Sequence, residues 1–143
     1  AFPTVERILA DYEGRLTFVV RDFPNHTNSV LAASAAYAAD EQGRYWEMYD
    51  KLLEQQTTWA ERQDSQAAVF LGFAQELGLD MAKFRSDLDS GRYADRIKRD
   101  FDDARKLGVD ATPTFFINGV KFVGVLPYDE FKRQIDQAID AAS

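Results

Sequence analysis

Residues 108–123 read Gly108-Val109-Asp110-Ala111-Thr112-Pro113-Thr114-Phe115-Phe116-Ile117-Asn118-Gly119-Val120-Lys121-Phe122-Val123. Gly108 follows a long helical pattern and suits the left-handed residue that ends a helix. Thr114–Ile117 and Val120–Val123 are short runs of β-branched and aromatic residues. Between them stands Asn118-Gly119, the strongest two-residue hairpin signal. The segment therefore reads as a helix stop, a turn through Thr112-Pro113 and a β-hairpin.

On the C-terminal side, Pro127 can start a final helix with Tyr128, Phe131, Ile135, Ala138 and Ile139 on one face. On the N-terminal side, residues 28 to 107 read as almost entirely helical. Val30, Leu31, Ser34, Tyr37 and Ala38 form one apolar stripe, with a stop at Gly43. Tyr45, Trp46, Tyr49, Leu52 and Leu53 form the next, and Val69, Phe70, Phe73, Ala74 and Leu77 a third. Asp80 is placed to cap a short helix with Met81, Phe84 and Leu88 inward. Tyr93, Ile97, Phe101, Ala104 and Leu107 make the last stripe, and Thr57 to Asp64 is the least regular stretch. Before all of these, Phe2, Val5, Ile8 and Leu9 predict a helix over residues 1 to 12, closed by Gly14. Leu16–Val20 reads as a strand buried on both faces. Helix, strand, helical block, hairpin and helix in that order predict an α/β layer with a helical insertion.

Composition narrows the function. A chain of 143 residues with 45% hydrophobic and 29% charged residues has the profile of one globular domain, not of a disordered segment. Its apolar runs fall far short of the ~20 residues that span a bilayer. A formal net charge of −7 disfavours nucleic-acid binding, which requires a basic face. No cysteine means no disulfide framework and no thiolate metal site, and one histidine, His26, makes a histidine-based metal site or triad improbable. Neither a metal nor a cofactor is expected. Asp100, Asp102 and Asp103 read as a solvated helix face, and His26 as a turn or helix-start residue with proton shuttling as its alternative. Trp46 lies on an apolar stripe and reads as core, while Trp59 in the irregular segment stands between core and groove. No signal peptide is legible, but the helical pattern begins at once at Ala1, so this says little about compartment.

The run Gly108 to Gly119 resembles the cis-proline segment of DsbA-like thiol–disulfide oxidoreductases. Phe18-Val19-Val20-Arg21-Asp22-Phe23-Pro24 resembles their second strand, and Gly43-Arg44-Tyr45-Trp46-Glu47-Met48-Tyr49-Asp50 a helix of their inserted domain. The resemblance covers nearly the whole chain and implies a thioredoxin-like fold with an inserted helical domain. Residues 1–26 and 108–143 would form the thioredoxin-like core and 27–107 the insertion. It also implies a departure. The family begins with a central strand followed by Cys-x-x-Cys at the start of the first helix, and here neither is present. The family's catalytic cysteines therefore have no positions to occupy, and the first strand is missing. In the family's sheet that strand lies between those matching Leu16–Val20 and Thr114–Ile117. Its place is expected to be filled by residues upstream of Ala1, with a strand from a second copy or a rearranged pairing as the alternatives.

The implied site residues are Thr112 and Pro113. The resemblance implies a cis bond between them, facing the first helix's N-terminus, where the Thr112 backbone could pair with an extended substrate. The implied function is protein thiol–disulfide exchange, by oxidation or isomerisation in secreted proteins, with this chain inactive by itself for lack of cysteine. The alternative is a redox-inactive peptide-binding or chaperone-like module. The implied partners are unfolded or partly folded cysteine-containing polypeptides and a redox partner protein, in a periplasmic or extracytoplasmic setting.

Overall fold

A computed structural model describes residues 2–143. The expectation of a helix already under way at Ala1 falls outside the described residues. In chain order the elements are α1 (Phe2–Asp11), α2 (Ser29–Asp40), α3 (Tyr45–Glu54), α4 (Gln56–Trp59), α5 (Ala67–Glu76), α6 (Met81–Asp89) and α7 (Ala94–Lys106). They are followed by β1 (Thr114–Ile117), β2 (Val120–Val123) and α8 (Tyr128–Ala142). The fold is thioredoxin-like, mostly helical with a small two-stranded sheet.

The chain divides into two compact units. The first comprises the described part of Ala1–Val20 with Arg105–Ser143, and the second Arg21–Ala104. Both boundaries come earlier than the expected 26/27 and 107/108. Arg21 and Asp22 account for the first of these, because both are held by Asp100 of α7 inside the helical unit.

In the first unit, Ile8 of α1, Tyr12, and Phe131 and Ile135 of α8 are buried together. Phe115 of β1 packs its ring edge-to-face on Phe131, centroids 4.8 Å apart. The buried Tyr12 satisfies its hydroxyl by donating to Asp136 Oδ1 at 2.6 Å, and Lys132 Nζ donates to it at 3.2 Å. The hairpin pairs antiparallel with Thr114 opposite Val123 and Ile117 opposite Val120. Its turn has φ of 44° at Asn118 and 88° at Gly119, the twist that two-residue hairpins require.

Leu16–Val20 departs from expectation, because no strand forms there. A strand exists only through its ladder, and the described residues offer this segment no neighbouring strand. The strand-like trait that survives is alternation. Leu16, Phe18 and Val20 are half-buried while Thr17 and Val19 are exposed. The segment is not buried on both faces.

In the second unit, α2 is buried on nearly every side from Ser34 to Ala39. Alanines at 35, 36, 38 and 39 let α3, α5 and α6 approach its backbone closely. Val30, expected on its inward stripe, is exposed at the helix start. Asp80 caps α6 by accepting from the Lys83 N–H at 3.0 Å, and Phe84 and Leu88 point inward as expected. The irregular 57–64 segment is anchored by the buried Asn28, whose Nδ2 donates to the carbonyls of Arg62 and Asp64 at 3.0 and 3.1 Å. Trp59 is core, with its indole N–H on the Leu52 carbonyl at 3.0 Å. Trp46 is not core, because the buried line of α3 runs through Met48 and Leu52 and leaves Trp46 facing solvent. Leu107, read as the end of the α7 stripe, lies past that helix and is exposed.

Candidate functional site

The loop from Gly108 to Thr114 is built by local bonds. Gly108 turns with φ of 72°, a left-handed value that glycine adopts without strain. The ammonium of Lys121 on β2 donates to the carbonyls of Leu107 and Gly108 at 3.3 and 3.2 Å, where a helix end leaves carbonyls without partners. Further on, Thr114 Oγ1 donates to the Ala111 carbonyl at 2.7 Å, closing the turn over Thr112 and Pro113. The Thr112–Pro113 peptide is cis. Thr112 is exposed and Pro113 half-buried.

The hairpin decides which backbone groups this loop presents. The Gly124 N–H donates to the Pro113 carbonyl at 2.8 Å, so Pro113 is held from the β2 side. In an antiparallel ladder such bonded pairs alternate with pairs whose groups point outward. Phe115 and Ile117 therefore face β2, while the N–H and C=O of Thr114 and Phe116 point to the opposite edge of β1. Among the described residues that edge has no strand partner.

The other candidates lie elsewhere. His26 sits at a helix start as expected. Its N–H donates to Ser29 Oγ at 3.1 Å, and its Nδ1 lies 3.5 Å from Glu61 Oε1. Asp100 corrects the reading of a solvated acidic face. It is buried, accepting from Arg21 Nε at 2.6 Å and from the Asp22 N–H at 3.0 Å. Tyr37 donates to Asp22 Oδ2, and the Arg96 guanidinium lies 4.1 Å from the Tyr37 ring centre. Burial pushes the Asp22 carboxyl up, opposed by the Tyr37 hydrogen bond and reinforced by Asp100. Burial and then Asp22 push the Tyr37 hydroxyl far above its ordinary range, so it remains a donor. This cluster escaped sequence reading. Its one signal was the charged pair Arg21-Asp22 directly after an apolar run. Among the described residues no group of three or more His, Cys, Asp or Glu could hold a metal ion.

The site contains a strand edge and a proline loop but no thiol. A thioredoxin family model matches residues 1–137. The chain belongs to that family. Its fold is the DsbA-like variant. Wolbachia pipientis alpha-DsbA1 superposes with a TM-score of 0.83 at 23% identity, covering 99% of this chain and 77% of that one. BdbD of Bacillus subtilis superposes with a TM-score of 0.76 at 22% identity, covering 97% and 76%. By sequence, the chain is 40% identical over 132 residues to the Na(+)/H(+) antiporter NhaA 3 of Salinispora tropica, covering 90% of this chain. It is 38% identical over 115 residues to the Na(+)/H(+) antiporter NhaA of Herminiimonas arsenicoxydans, covering 80% of this chain. The chain spans only 19% and 18% of the length of those two relatives. No helix among the described residues is long and apolar enough to cross a membrane.

Proposed function

We propose that residues 1–143 are the scaffold and polypeptide-facing part of a thiol–disulfide oxidoreductase, working with a strand and a cysteine pair that these residues do not contain. The observation that carries this is the outward edge of β1 at Thr114 and Phe116, adjoining the Thr112–Pro113 loop. A bare edge of backbone donors and acceptors accepts a further strand. In the family pattern the thiols follow that strand, at the N-terminus of the first helix. Oriented N–H groups and the positive end of the helix dipole there lower the thiol pKa. Thr112 then faces the extended cysteine-containing substrate, and Pro113 brings no competing N–H to the loop. The electron pair of each exchange moves between sulfurs through a mixed disulfide. Hydroxyl and imidazole side chains cannot substitute for them. The setting that suits this chemistry is oxidising, hence extracytoplasmic.

The test compares residues 1–143 with the whole polypeptide that carries them in an insulin-reduction assay. The expected result is the uncatalysed rate for residues 1–143 and turnover for the whole polypeptide. A whole polypeptide that lacks cysteine and turnover would overturn the proposal and leave a redox-inactive peptide-binding module. The antiporter relatives favour a second reading, in which this domain is one part of an ion-exchanging membrane protein. Detection of the whole polypeptide in the detergent-extracted membrane fraction supports it, and recovery in the soluble fraction excludes it.

A further inference from the structure

The hairpin leaves a second sheet edge open, on β2. In its register, Val120 and Phe122 exchange their backbone bonds with Ile117 and Phe115 of β1. Lys121 and Val123 therefore turn their N–H and C=O groups away from β1, and among the described residues no strand lies against them. Edges of this kind are normally guarded by a proline, a bulge or a lysine held out into solvent. β2 has no proline, and its pairing with β1 runs without a bulge. Its one lysine is drawn back, because the Lys121 ammonium donates to the carbonyls of Leu107 and Gly108. Val120 and Val123 each leave 57% of their surface to solvent. Beside the strand, Val120 and Phe122 line a groove with Gln134, Gln137, Ala138 and Ala141 of α8, and no charged side chain lines it.

We propose that the outer edge of β2 pairs with the same edge of a second copy of this chain, antiparallel across a two-fold axis at Phe122. A two-fold contact must be self-complementary, and this edge is. The axis sets Lys121 opposite Val123 of the second copy, and Val123 opposite its Lys121. Each such pair exchanges both of its backbone hydrogen bonds. Phe122 meets Phe122 of the second copy as a pair without hydrogen bonds, the closer kind, with both rings on the side that carries the groove. Charge favours a second copy at this place. The chain carries a net charge of −7, so two copies repel wherever their acids meet. Neither β2 nor the lining of the groove holds an acid, and the axis keeps the two Lys121 side chains from standing opposite each other. The strand is short, so the dimer is a weak one, held by an interface smaller than those of permanent dimers.

The test is sedimentation equilibrium of the full chain at about 0.15 M salt, where distant charges are largely screened. The mass is expected to rise from monomer toward dimer between about 10 μM and about 1 mM. Val123→Lys sets a lysine opposite Lys121 in both symmetric pairs and is expected to weaken the dimer about tenfold. Val123→Glu sets a carboxylate there and is expected to tighten it about threefold. Net charge alone demands the reverse, because one added cation takes it from −7 to −6 and one added anion takes it to −8. Either Val123 variant carries the test if the other fails to fold. Val19→Lys and Val19→Glu make the same charge changes at an exposed site outside the hairpin and are expected to leave the dimer unchanged. A monomer at every concentration, a tighter dimer with Val123→Lys, a weaker one with Val123→Glu, or equal shifts from the Val19 variants would overturn the proposal.

Discussion

At the scale of residues, the informative side chains are those whose partners are far away in sequence. Asp100 accepts bonds from Arg21 and Asp22 on the far side of the helical block, and its neighbours along the chain give no hint of that. Asp100→Ala leaves the Asp22 N–H and the Arg21 guanidinium without this acceptor, so a loss of about 1–3 kcal/mol is expected in urea unfolding. Arg21→Ala removes a side chain that is 56% exposed and is expected to cost under about 1 kcal/mol. The acids also titrate in opposite senses. Asp87 is held below its ordinary 3.8, first by its hydrogen bond to Lys83 and further by Arg92. Its folded form keeps the charge where the unfolded form loses it, so its contribution is present above 3.8 and lost as pH falls through the depressed value. Asp22, raised above 3.8 by burial, binds its proton more tightly when folded. Wild type is therefore expected to gain on Asp22→Asn as pH falls from 7 through the raised value, and to lose its advantage over Asp87→Asn below 3.8. Urea unfolding of the three proteins across that range measures both, and parallel curves would contradict both assignments.

At the scale of elements, local chemistry sufficed where it was complete. Asn118-Gly119 specifies a turn whose φ values are both positive, and the hairpin forms on either side of it. Gly119→Val forces a β-branched residue into that region and is expected to cost about 1–2 kcal/mol, read as a lowered melting temperature. An unchanged melting temperature would mean that the turn relaxes freely. The helices were legible for the same reason, as with Asp80 capping α6 and Phe84 and Leu88 turning inward. Trp46 departs from its expected core position because Tyr45, Trp46 and Tyr49 make an aromatic cluster that periodicity alone cannot assign to a face. Met48 and Leu52 take the core, and Trp46 is left outside. Leu16–Val20 departs from the expected strand for a deeper reason. Strand propensity describes how side chains fit a sheet, whereas the strand itself needs a partner whose position no local pattern encodes. The Thr112–Pro113 loop is legible in the sequence only through resemblance. The bonds that hold it, from Thr114 to Ala111 and from Gly124 to Pro113, come from the geometry alone.

At the scale of the whole molecule, family membership and missing chemistry have to be held together. The chain keeps the DsbA-like fold over nearly its full length and carries no sulfhydryl. A single structural feature connects these facts: β1 turns the backbone groups of Thr114 and Phe116 toward an edge with no strand among the described residues. If the chemistry comes with a further strand, that strand belongs at this edge. Hydrogen exchange of the β1 amides, in residues 1–143 and in the whole polypeptide that carries them, tests this most directly. Phe115 and Ile117 are expected to be protected in both, and Thr114 and Phe116 only in the whole polypeptide. Protection of Thr114 and Phe116 in residues 1–143 alone, or continued rapid exchange at both in the whole polypeptide, would contradict the account.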